Sequence, residues 1–105
     1  MEGYGLEQES DAAEKRDQRQ FSFDIDPQAP VFVIGVAAEV VRIPIWTLRK
    51  LDHMGVICPK RMGTRTRCYS HVQIKTLGYI KYLMEEKGVN ISGIKVILEI
   101  EGYQT

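Results

Sequence analysis

Two cysteines, two histidines and one tryptophan are all that the 105 residues hold of those types, and the shortage closes several routes to function. Cys58 and Cys68 are too few for a disulfide framework, and an intracellular compartment would keep them reduced. With His53 and His71 they supply the usual zinc donors, but the spacings Cys-x9-Cys and His-x17-His match no common zinc module. Buried or half-buried thiols are the plainer expectation, so neither a metal nor a cofactor is expected. Long apolar runs are missing too: nothing approaches the roughly 18 apolar residues of a membrane span. The first residues are acidic where a secretory signal would be basic and then apolar. A soluble, cytoplasmic protein without membrane contact is therefore expected. No GxxxxGK loop, GxSxG elbow or HExxH helix occurs, and Glu39 and Asp52 stand as isolated carboxylates, suited to helix capping or to pairing with Arg49 or Arg67. An enzyme is not expected.

Net charge is absent as well, at +0, but the balance conceals a segregation. Residues 1–30 carry eight acidic side chains against three basic, an excess of five negative charges, whereas residues 31–80 carry eight basic against two acidic, an excess of six positive. The acidic part is too poor in apolar residues to build a core, so residues 1–29 read as a disordered arm. Within it Phe21, Phe23 and Ile25 alternate with polar residues, as in a short strand or a linear motif. Pro27 and Pro30 mark the boundary of a single domain over residues 30–105.

In that domain Val36, Ala37, Val40 and Val41 form an apolar stripe on a first helix that begins near Gly35, a stripe expected to be buried against a neighbour. Arg42 and Ile43 make a turn, and Pro44 suits the first position of a second helix. On this helix Ile45, Leu48 and Leu51 point inward, while Trp46, Arg49, Lys50 and His53 share the opposite face. Gly55 provides the left-handed stop. Cys58 and Pro59 lead into a strand, Met62, Gly63 and Thr64 turn, and residues 66–69 return as its partner, leaving the two cysteines able to face one another. Ser70 and Gln73 have capping-box spacing and start a third helix of about sixteen residues, with Ile74, Leu77, Ile80 and Met84 inward and Tyr79 and Leu83 beside them. Gly88 ends it. Asn90 caps a last helix with Ile91, Ile94, Ile97 and Leu98 on one face. The fold class is mainly α with a small β-hairpin, a helix-turn-helix with a basic wing.

That architecture predicts DNA binding. A helix in the major groove reads bases with Arg and Lys, and a wing adds phosphate contacts. The candidates are Trp46, Arg49, Lys50 and His53 on the second helix, with Lys60, Arg61, Arg65 and Arg67 on the wing. Solvated surface charge is the bland alternative for the cations, countered by their common face and the near absence of acidic neighbours. Trp46 either contacts a sugar or thymine methyl, or folds back as core; the residues leave both open.

The run IGVAAEVVRIPIWTLRKLDHMGVI, then Arg67, Cys68, Tyr69 and Ser70, then NISGIKVILEIE, resembles the winged helix-turn-helix domain of the MerR family, over about residues 30–101. Within the family the resemblance is to the heat-shock repressor (HspR) branch. It implies a transcription factor that binds inverted repeats of double-stranded DNA as a homodimer, with Thr47, Arg49, Arg67 and Tyr69 at the DNA. It also implies repression of chaperone operons with a DnaK-type chaperone as co-repressor. Three departures stand out. Lys50 and Leu51 replace a frequent aromatic pair, Pro44 replaces Ser or His, and the metal-sensing cysteines of other branches have no counterpart. Few residues follow Leu98, so pairing is expected through the third and fourth helices, a neighbouring chain on direct repeats, or the N-terminal segment. The alternatives are a minimal MerR-like or excisionase-like DNA-binding protein, or an antirepressor or adaptor that binds another protein.

Overall fold

The structure, a computed structural model, describes residues 25–63, 65–103 and 105. The arm expected over residues 1–29 lies outside them up to residue 24, as does Thr64 of the expected hairpin turn; Ile25 and Asp26 belong to no strand. In chain order the elements are β1 (Phe32–Val33), α1 (Ile34–Val41), α2 (Ile45–His53), β2 (Lys60–Met62), β3 (Thr66–Tyr69), α3 (His71–Glu85) and α4 (Ile91–Glu101).

The sheet has three antiparallel strands in the order β1-β3-β2. The hairpin pairs Lys60 with Cys68, Arg61 with Arg67 and Met62 with Thr66. On the other edge, Phe32 and Val33 pair with Tyr69 and Cys68, a strand the sequence did not announce. Ahead of it Asp26 closes a turn, accepting from the Gln28 N–H through its carboxylate at 2.9 Å and from the Ala29 N–H through its carbonyl at 2.9 Å. The carbonyl of Pro27 then accepts from the Val72 N–H at 3.2 Å, tying this turn to the start of α3.

Local chemistry explains the helix ends. Ser70 Oγ accepts from the Gln73 N–H at 3.1 Å and Gln73 Oε1 accepts from the Ser70 N–H at 3.0 Å, the reciprocal capping box expected for α3. Asn90 Oδ1 accepts from the Gly93 N–H at 2.8 Å and caps α4. Pro44 sits one position earlier than expected, at the N-cap of α2, where its carbonyl accepts from the Thr47 and Leu48 N–H groups at 3.0 and 3.1 Å. Gly55, with φ +71°, ends α2: its N–H reaches the Asp52 carbonyl and the Val56 N–H reaches the Leu51 carbonyl. A left-handed residue is needed there, and glycine adopts it without the steric cost of a Cβ.

The core joins α1, α2, α3 and α4 through Ala37, Val41, Leu48, Leu51, Leu77, Ile80, Ile94 and Leu98, with Ile57 and Tyr69 from the segments around the hairpin. Each fully buried Leu or Ile contributes about 1.5–3 kcal/mol relative to exposure, so Leu48 and Leu51 anchor α2 firmly with its other face outward. Thr76, buried in α3, donates its hydroxyl to the Val72 carbonyl at 3.1 Å. One expectation fails: Val36 and Val40 are exposed, and only Ala37 and Val41 of the α1 stripe are buried. α1 is eight residues long and rests its inner side on α2, α3 and the sheet, which leaves the flank that bears Val36 and Val40 uncovered.

Candidate nucleic-acid interface

Because Leu48 and Leu51 fix the inner face of α2, the side chains on its opposite face project outward. Trp46 is 73% exposed, which excludes its reading as a core residue, and Arg49, Lys50 and His53 are exposed on the same helix. Thr47 is half-buried between the two faces. Lys60 and Arg61 on β2 and Arg65 before β3 are exposed too. The structure thus brings eight of the ten sequence-chosen residues to the surface of the reading helix and wing, counting the half-buried Thr47.

The other two need revision. Tyr69 is 0% exposed and its hydroxyl has no hydrogen-bond partner among the described residues, so in this conformation it is a core residue and offers nothing to a ligand at the surface. Burial, and after it the nearby Asp52 carboxylate, pushes its hydroxyl pKa up from 10.0 to about 12. Arg67 is only partly accessible, at 20%, and its Nε donates to Asp52 Oδ2 at 2.7 Å. Arg61 Nη2 donates to the same oxygen at 3.0 Å. One carboxylate at the end of α2 therefore gathers a side chain from each wing strand, and Arg61 and Arg67 are themselves cross-strand partners. Two like charges placed opposite one another would repel; Asp52 removes that repulsion and ties the wing to the reading helix.

Asp52 is the residue of this surface whose contacts the sequence only half disclosed. Its pairing with Arg67 was one of two options, but the shared contact with Arg61 depends on hairpin register. Arg42 was read from the sequence only as part of a turn. It is exposed, lies in the turn before α2, and holds φ at 61°, a conformation that costs a non-glycine residue about 1–2 kcal/mol. The Ile43 N–H reaches back to the Ala38 carbonyl at 3.3 Å, the kind of helix stop that Gly55 provides for α2. Only the absence of glycine between two helical patterns could have signalled it.

Cys58 and Cys68 do not face each other. Lys60 is the partner of Cys68, which is buried, while Cys58 lies before β2 and is exposed. Partial desolvation, and then Asp52, raise the Cys58 thiol above its usual pKa of 9.0, which makes it a poorer nucleophile. Among the described residues no three His, Cys, Asp or Glu side chains come together as a metal site, and no helix is long and apolar enough to cross a membrane.

An outward cationic helix flanked by a two-stranded basic hairpin defines a winged helix-turn-helix protein. Residues 32–100 match the MerR HTH family of regulatory proteins, and the chain belongs to that family. It is 36% identical over 84 residues to a putative heat shock protein HspR of Streptomyces coelicolor, covering 80% of this chain and 56% of that relative. It is 29% identical over 77 residues to the HTH-type transcriptional regulators GlnR of Bacillus anthracis and Bacillus cereus, covering 73% of this chain and 59% of each relative. The chain therefore spans somewhat more than half the length of these relatives.

Proposed function

We propose that this protein is a sequence-specific, double-stranded-DNA-binding transcriptional regulator of the HspR-like kind, a repressor of heat-shock genes that works without catalysis. The observation that carries the DNA-binding reading is the exposure of Arg49 and Lys50 on α2 and of Lys60 and Arg65 on the wing. None of the four enters an ion pair among the described residues. Four cations with no acidic partner among the described residues suit a ligand that brings its own negative charge. In this reading α2 lies in the major groove, with Trp46, Arg49 and Lys50 at base edges and Thr47 and His53 at its flanks, while Lys60, Arg61 and Arg65 hold phosphates. Arg67 acts through its contact with Asp52. Similarity to HspR supports the heat-shock assignment, and pairing of two copies on DNA and a DnaK-type co-repressor complete the proposal.

Binding to a promoter fragment, followed by fluorescence anisotropy, is expected to weaken linearly in log–log form with salt. For about four phosphates per subunit, the slope is roughly −3.6 per subunit. A flat salt dependence would overturn the assignment. Replacement of Lys50 or Trp46 by Ala should chiefly reduce discrimination between operator and scrambled duplex.

Arg42 supplies a second check, because its stability and binding effects are expected to have opposite signs. Arg42→Gly removes the left-handed strain and should stabilise the fold by about 1 kcal/mol, yet it deletes a cation beside α2 and should weaken binding to all duplexes alike. Denaturant unfolding and anisotropy on the same sample read both; unchanged DNA affinity would remove Arg42 from the interface.

A further inference from the structure

The basic face has a counterpart within the same chain. Residues 1–24 carry seven acidic side chains against three basic, and they precede the described domain directly. Where that domain begins is informative. Gln28 and Pro30 border a cleft shared with Cys58 and Lys60, and the Pro27 carbonyl is held by the Val72 N–H at 3.2 Å. The acidic segment therefore joins the domain beside the base of the wing. A chain of 24 residues reaches up to about 80 Å when extended, so the whole face of α2 and the wing is within its range.

We propose that the acidic segment of residues 1–24 docks in cis on the cationic face formed by α2 and the wing and competes there with DNA, an inference that rests on the DNA-binding reading of that face. Arg49, Lys50, Lys60 and Arg65, which enter no ion pair among the described residues, are its contacts. Ion pairs of this exposed kind are individually weak. Tethering gives the segment an effective concentration of order millimolar, and several weak pairs together then suffice. Such contacts are short-ranged in salt, with a Debye length near 8 Å at about 0.15 M. A DNA duplex, with denser charge, displaces the segment. The arrangement raises the threshold for non-specific DNA more than for an operator, because the segment competes for charge and not for base edges.

The test uses the full chain with Glu2, Glu7, Glu9 and Glu14 changed to Gln, which leaves residues 1–24 with three acidic and three basic side chains. Trp46 is the single tryptophan and projects from the contested face, so its quenching by neutral acrylamide reports docking with no DNA present. In the native chain at low salt, Trp46 should be about twofold less accessible than in the neutralised chain. The difference should vanish by roughly 0.5 M salt, where the Debye length is about 4 Å, and should be independent of protein concentration. The neutralised chain should also bind duplex DNA about tenfold more tightly at low salt. Equal quenching of the two chains at every salt concentration overturns the proposal, whatever their DNA affinity. A difference that grows with protein concentration overturns docking in cis. Should Trp46 be shielded as expected while neither chain binds DNA, the docking stands and the DNA-binding reading falls.

Discussion

Replacing Asp52 by Ala is expected to lower the stability of the domain by about 2 kcal/mol and its thermal midpoint by roughly 10 °C. Its carboxylate is 12% exposed and accepts from Arg67 at 2.7 Å and from Arg61 at 3.0 Å. Arg61 is 47% exposed and recovers much of its hydration when the partner goes. Arg67 is 20% exposed and cannot, so most of the loss comes from leaving its guanidinium partly desolvated and unpaired, beside the cation of Arg61 across the strand. Asp52→Asn keeps an acceptor oxygen and should lose about half as much, since hydrogen bonds to an ionised group are roughly twice as strong as neutral ones. A double-mutant cycle with Arg67→Ala isolates the contact, and a coupling energy near zero would rule it out as a source of stability.

The same substitution separates two views of the wing. Removing a negative charge from the proposed interface favours phosphate by simple Coulomb attraction, whereas releasing Arg61 and Arg67 lets the hairpin swing relative to α2. We expect positioning to prevail, because a partly buried two-point contact is worth more than one screened charge at the surface. Asp52→Ala should therefore bind DNA more weakly despite its gain of one positive charge. Tighter binding would instead make Asp52 a brake that sequesters Arg61 and Arg67.

Signals that act over three or four residues were legible in the sequence. The Ser70 and Gln73 capping box, the Asn90 cap and the Gly55 stop each depend on neighbours along the chain, and each stands where expected. The outward face of α2 followed from helical spacing alone. Features set by residues distant in sequence were not legible. β1 is two residues long and has no periodicity of its own; it exists because Tyr69 and Cys68 offer it a ladder. Asp52 meets Arg61 and Arg67 only once the hairpin register is fixed. The exposed flank of α1 shows the converse, since a row of valines marks a helical side without saying whether a neighbour covers it.

Tyr69 is the sharpest case: the family resemblance places it with Arg67 at the DNA, and alternation along a strand would put the two on one side, whereas β3 buries Cys68 and Tyr69 in succession. Alternation holds for a strand with one wet face; the end of β3 is enclosed on both. Tyr69→Phe is consequently expected to leave DNA binding unchanged and to stabilise the domain by about 1 kcal/mol, since it removes a buried hydroxyl that has no hydrogen-bond partner among the described residues. The two chains should also part at high pH. With the folded-state pKa raised from 10.0 to about 12, the native state holds its proton where the unfolded chain has lost it. Stability linked to Tyr69 is therefore intact below pH 10 and falls as pH rises from about 10 towards 12. Phe at this position has no proton to lose, so denaturant midpoints of the variant should decline less steeply over that interval. Parallel declines, or a loss of DNA affinity in Tyr69→Phe, would return the hydroxyl to the surface and to the DNA.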